Sequence, residues 1–95
     1  MLNTIISAIQ NKEVITFNYD GHPHEVEPHA VGVSRAGHKV LRCFQVKGHR
    51  QHDHSWVLVP LSKIANLSKT EQYFSSIRSD YKSGDKGMTI IYAQI

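Results

Sequence analysis

The chain has 95 residues, 40% hydrophobic and 20% charged, which suits one small domain and leaves too little apolar surface for two independent cores. Eleven Lys and Arg against eight Asp and Glu give a net charge of +3 with His neutral and a pI of 9.2, a balance that permits an anionic partner such as nucleic acid. A single cysteine, Cys43, excludes an internal disulfide and hence a disulfide-stapled secreted domain. Met1 to Gln10 has neither the basic region nor the apolar run of a signal peptide, and no stretch approaches the roughly 20 apolar residues of a spanning helix. A cytoplasmic location with no membrane partner is the expectation.

Leu2, Ile5, Ile6 and Ile9 recur at helical spacing, so the sequence predicts an amphipathic helix over Leu2 to Asn11 whose apolar stripe packs on a sheet. From Glu13 the period becomes two, with Ile15, Phe17 and Tyr19 opposite Thr16, Asn18 and Asp20, which predicts a half-buried strand. Asp20-Gly21 is hairpin-turn chemistry. A second strand is expected from about Glu25 to Ser34, with Pro28 at an edge or bulge. After a turn at Arg35 to His38, Lys39 to Lys47 reads as a third strand, alternating Leu41 and Cys43 with Val40, Arg42, Phe44 and Val46; the pattern leaves open which face is buried.

Gly48 to Ser55 is a His-rich loop, and Trp56 to Val59 is an apolar strand that Pro60 ends. Leu61 to Leu67 fits one turn and a short strand, and Thr70 to Phe74 a single helical turn. Ser75 to Gly87 is polar and reads as a loop, and Met88 to Ile95 returns to strand character. The expected core comprises Ile5, Ile9, Phe17, Val26, Leu41, Leu58 and Leu67. One helix and five short strands predict a mainly β fold with a strongly bent antiparallel sheet or barrel.

The run Val14-Ile15-Thr16-Phe17-Asn18-Tyr19, then Gly21, Val26-Glu27-Pro28-His29, Gly37, Leu41-Arg42-Cys43-Phe44-Gln45, Trp56, Leu61-Ser62-Lys63-Ile64 and Phe74 resembles the WYL domain family in order and spacing. The resemblance covers about residues 1–75, with 76–95, the polar loop and last strand, expected in the same domain. It implies a small Src-homology-3-like or Sm-like barrel. It also implies a role as a sensor of single-stranded nucleic acid or a nucleotide, serving bacterial transcriptional regulation, phage defence or DNA-damage accessory functions. With no helix-turn-helix ahead of the motifs, a standalone copy is expected. The tripeptide that names the family falls at Lys39-Val40-Leu41, and His24 stands where an arginine is usual.

Tyr19, His29 and Lys63 match positions that the family associates with its ligand face; His24 and Lys39 occupy such positions with a different residue type, and Arg42 joins them as a basic candidate. An aromatic ring beside cationic or His donors suits a base stacked while its phosphate is neutralised. Tyr19 and Arg42 read equally as ligand contacts or as ordinary structural residues. Trp56 is expected as a core aromatic with a wet edge.

His22 and His24 with His29, and His49, His52, Asp53 and His54, have metal-ligand residue types, but neither set matches a zinc spacing, so surface histidines and no metal or other cofactor are expected. Arg78 to Lys82 interleaves an aromatic with basic residues, as single-strand contacts do, and is expected to be an ordinary solvated loop. Cys43 in mid-strand reads as a small core hydrophobe. Nucleophile, paired-carboxylate and phosphate-loop signatures are missing, so no catalysis is expected. The alternative to a ligand sensor is a protein-interaction or homo-oligomerisation module whose Met88 to Ile95 strand completes a neighbour's sheet.

Overall fold

A computed structural model describes residues 1–48 and 55–95. Helix α1 (Leu2–Asn11) buries Ile5, Ala8 and Ile9 and ends as Lys12 turns into the left-handed region, φ 52°. Among the described residues six strands follow: β1 (Glu13–Tyr19), β2 (His22–Val33), β3 (Lys39–Lys47), β4 (Ser55–Pro60), β5 (Ala65–Tyr73) and β6 (Ile90–Gln94), with a 3-10 turn at Leu61–Lys63. The β1–β2 hairpin turns on Asp20 and Gly21, both at positive φ, as a two-residue turn matched to strand twist requires.

Described ladders are antiparallel, in the order β4-β3-β2-β1-β5, and β6 pairs with the second half of β2. The fold is thus mainly β with a short amino-terminal helix, and the sheet is not closed. It is nevertheless strongly curled. The 12-residue strand β2 pairs first with β1 and then with β6, and its ladder with β3 shifts register twice. The shifts fall between Glu25 and Val26 and between Pro28 and Ala30. Pro28 sits where pairing with β1 has ended and pairing with β6 has not begun, so its missing N–H costs no ladder bond on that side. Gly32 is required for a different reason: a Cβ there would collide with the Ile90 carbonyl of β6.

The sheet is covered on both faces. On one side α1 packs over Ile15, Phe17, Val26, Val31, Leu41, Cys43 and Val59, with Leu61 and Ile64 closing the cluster. On the other, residues 75–87, which form no helix or strand, lie as a strap across Glu27, Arg42, Phe44 and Trp56. The alternation of β3 thus serves both sides: Leu41 and Cys43 face the helix, Arg42 and Phe44 the strap.

Three expectations are corrected. Leu58 is 37% exposed because it shares the strap-side face with Trp56, and the helix-side core takes Val57 and Val59 instead. Leu67 is only partly buried against that core. Residues 70–73 are strand and not a helical turn: Thr70 Oγ1 donates to the Val14 carbonyl, and the Glu71 N–H is captured by the buried Glu13 carboxylate, which holds β5 on β1 through an irregular register. Among the described residues no helix is long and apolar enough to cross a membrane.

Candidate ligand-binding face

The strap is held by side chains that the strands leave pointing away from the helix. The Arg78 guanidinium makes two bonds to the Glu27 carboxylate, 2.8 and 2.9 Å, and lies 4.0 Å above the centre of the Phe44 ring. Arg42 makes the equivalent pair with Asp85 at 2.7 and 3.2 Å, and Asp85 also accepts the Gly87 N–H. The Arg42 hydrogen bond holds the Asp85 carboxyl below the usual carboxylate range, against an opposing effect of burial. Between these anchors the Trp56 indole N–H donates to Asp80 at 2.8 Å.

Beneath the strap is an aromatic cluster. Trp56 meets His29 edge-on and Phe44 edge-on, and Tyr81 lies tilted against both His29 and Trp56. Burial, reinforced by the charge of Asp85, pushes the Tyr81 phenol above its ordinary pKa. A cleft of about 410 Å³ opens beside this cluster, lined by Arg42 and Trp56 from the sheet and by residues 80–86 of the strap. Its walls combine an indole, a phenol ring, Arg42 paired with Asp85, the Asp80 carboxylate held by Trp56, and the exposed Lys82 and Lys86. Such a surface can stack a planar ring and neutralise an anion beside it.

The six residues that the sequence singles out fall in three places. Arg42 lines the cleft, and His29 lies directly behind its Trp56–Tyr81 wall, wholly buried, which with the buried His24 corrects the expectation of surface histidines. Tyr19 and His24 are together at the β1–β2 turn, where His24 is buried, bonds Gln45 Oε1 at 2.8 Å and the Tyr19 carbonyl at 3.2 Å, and stacks on Phe17. Lys39 and Lys63 are exposed at the other end of the sheet: Lys39 opposite Val33 where β3 begins, and Lys63 just after Pro60. The structure brings Arg42 and His29 to one region and leaves the other four outside the cleft.

What the sequence reading missed is the strap. Arg78 to Lys82 is not a solvated loop, because Arg78, Asp80 and Tyr81 all bond or pack onto the sheet. Two signals for this exist in the sequence: Glu27 and Arg42 are charges in the middle of strands, where each needs a partner. Trp56 is half-buried with its polar edge held by Asp80, and belongs to the strap-side cluster and not to the helix-side core.

Cys43 is fully buried, and burial pushes its thiol above the usual range, which suits a core residue and not a nucleophile. Among the described residues no three His, Cys, Asp or Glu side chains gather into a set that could hold a metal ion. His49, His52, Asp53 and His54 lie outside the described residues. Comparison of the chain with protein-family models, curated proteins and solved structures finds no match.

Proposed function

We propose that the chain is a standalone WYL-like ligand-binding module with an Src-homology-3-like or Sm-like strand arrangement, which senses single-stranded nucleic acid or a nucleotide on its strap-covered face. A regulatory role in bacterial transcription or phage defence follows from the same resemblance. The observation that carries this reading is the cleft, where Trp56 and Tyr81 present aromatic surface beside Arg42, Lys82 and Lys86. Stacking would supply sequence-tolerant affinity, and the cations would neutralise phosphates. The basic pI and the quoted motifs point the same way.

Trp56 is the single tryptophan, so its fluorescence reports directly on occupancy. Titration with a short oligonucleotide should quench it with an affinity that falls as salt rises. Lys82→Ala and Lys86→Ala should each reduce the salt slope by about one unit. A parallel Lys63→Ala titration separates a ligand confined to the cleft, which ignores the change, from a longer strand that reaches Lys63. Affinity undetectable at low salt would overturn the proposal.

A second reading rests on β6. Ile90 and Tyr92 are 55% and 43% exposed, apolar surface that an interaction or oligomerisation module would cover. Concentration-dependent size in solution without oligonucleotide binding would favour it. In this chain β6 itself is paired with β2.

A further inference from the structure

The strap-side cluster contains a buried polar atom with no bonding partner among the described residues. His29 is 0% exposed, and its Nδ1 lies 2.9 Å from the Glu27 carbonyl oxygen. A carbonyl only accepts, so Nδ1 carries the proton and Nε2 is left as an acceptor. Among the described residues Nε2 has no hydrogen-bond partner. Among the described residues three rings surround the imidazole: Trp56 edge-on at 4.7 Å, Phe74 stacked at 5.3 Å and 18°, and Tyr81 tilted at 5.0 Å. Trp56 belongs to β4 and Phe74 follows β5 with its N–H bonded to the Lys12 carbonyl, whereas Tyr81 comes from the strap. The Tyr81 hydroxyl is directed to the His29 carbonyl oxygen at 3.5 Å, the outer limit of a hydrogen bond, and leaves Nε2 unanswered.

A buried acceptor without a donor is unfavourable, and a group that fits an aromatic box and brings an N–H would relieve it. Tyr81 fits the box and brings none. Its segment is held by side-chain contacts through Arg78, Asp80 and Asp85, while the Tyr81 N–H bonds locally to the Arg78 carbonyl, so the strap can lift without breaking a strand ladder. Lifting it would join the box to the cleft, since Trp56 and Tyr81 border both.

We propose that the box of His29, Trp56 and Phe74 is a base-recognition site, that Tyr81 fills it in the closed form, and that its ligand is an amino-bearing nucleobase whose N–H bonds Nε2 of His29. This rests on the nucleic-acid or nucleotide reading above and adds to it a base class and a gate. It also fixes the sign of the pH dependence. Burial keeps His29 below its ordinary pKa; the Glu27 carbonyl bond and the Glu27 and Asp80 carboxylates raise it, and Arg78 lowers it, with the Tyr81 phenol a further titratable group against the ring among the described residues. Protonation turns Nε2 from acceptor into donor, so recognition of the base weakens in acid. An imidazolium that contacted phosphate would give the opposite trend.

The test uses the whole chain, Trp56 fluorescence and two oligomers: a short oligodeoxyadenylate, and the same strand with its adenines methylated twice at N6 so that the N–H is lost. The unmodified strand should bind at least about tenfold more tightly, and its affinity should fall as the pH is lowered, at constant ionic strength, to below the ordinary imidazole range. Tyr81→Ala should bind the unmodified strand several-fold more tightly than the wild type and keep the preference. Equal affinities of the wild type for the two strands, an affinity that rises in acid, or a Tyr81→Ala protein that folds and binds more weakly would each overturn the base-recognition box while leaving the binding module standing. Failure of both strands to bind at low salt would remove the module reading and the box together. The wild-type comparison decides the matter even if Tyr81→Ala does not fold.

Discussion

The two faces of this sheet are covered in different ways. On the helix side, Ile5, Ile9, Phe17, Val26 and Leu41 pack with at most 2% exposure, and the cover is a regular ten-residue helix. On the strap side the cover is irregular chain, and the contacts among the described residues include two arginine–carboxylate pairs, an indole–carboxylate bond and a group of rings around a histidine whose acceptor has no partner among those residues. Apolar burial is non-directional and strong in sum, whereas partly exposed ion pairs contribute little net stability. The contrast assigns stability to the helix side and leaves the strap side able to open, which is what a binding face needs.

Substitutions can break this contrast. Phe17→Ala should cost ~3–5 kcal/mol in denaturant unfolding, as for other buried aromatics; a cost below about 1 kcal/mol would mean that the helix side is not the core. Arg78→Ala removes the Glu27 pair and the ring contact with Phe44 and should cost about 1–2 kcal/mol. Its larger effect should be faster amide exchange within residues 75–87 and not around Phe17. A loss as large as that of Phe17→Ala would make the two faces one core.

Acid should act on the strap side through Asp85. The Arg42 bond lowers its folded pKa below the unfolded value, so its stabilisation is fully present above the unfolded carboxylate range and is lost as pH falls through the folded value. Asp85→Asn should cost about 1 kcal/mol or less at neutral pH and remove this part of the acid sensitivity, read from Trp56 emission. Persistence of the same acid response in Asp85→Asn would place it elsewhere. Leu58→Ala, at the exposed end of the scale, should stay within about 0.5 kcal/mol, and a loss of a core-like size would show Leu58 to be buried.

Much of the helix side was legible in the sequence because its signals are local. The spacing of Leu2, Ile5, Ile6 and Ile9 gives α1 from Leu2 to Asn11, Asp20-Gly21 gives the first turn, and β3 runs from Lys39 to Lys47 as its flanking turns predict. The remainder depends on pairings across long separations. Glu27 finds Arg78 and Arg42 finds Asp85 some 51 and 43 residues away, and nothing within a strand's length of either residue announces its partner. Leu58 was misplaced because an apolar run such as Trp56 to Val59 carries no period to say which face it serves. The turn expected at Thr70 became strand because Glu13, far back in the chain, captures the Glu71 N–H.

The division between the faces is tested most directly by amide hydrogen exchange of the whole protein with and without a saturating short oligonucleotide at low salt. If the strap side is the binding face, exchange should change at Tyr81, Gly84 and Met88, whose N–H groups are bonded within the closed strap and to Gln94, and stay constant at Ile15, Phe17 and Leu41 under the helix. Changes confined to the helix side, or an unaltered strap under saturating ligand, would contradict it.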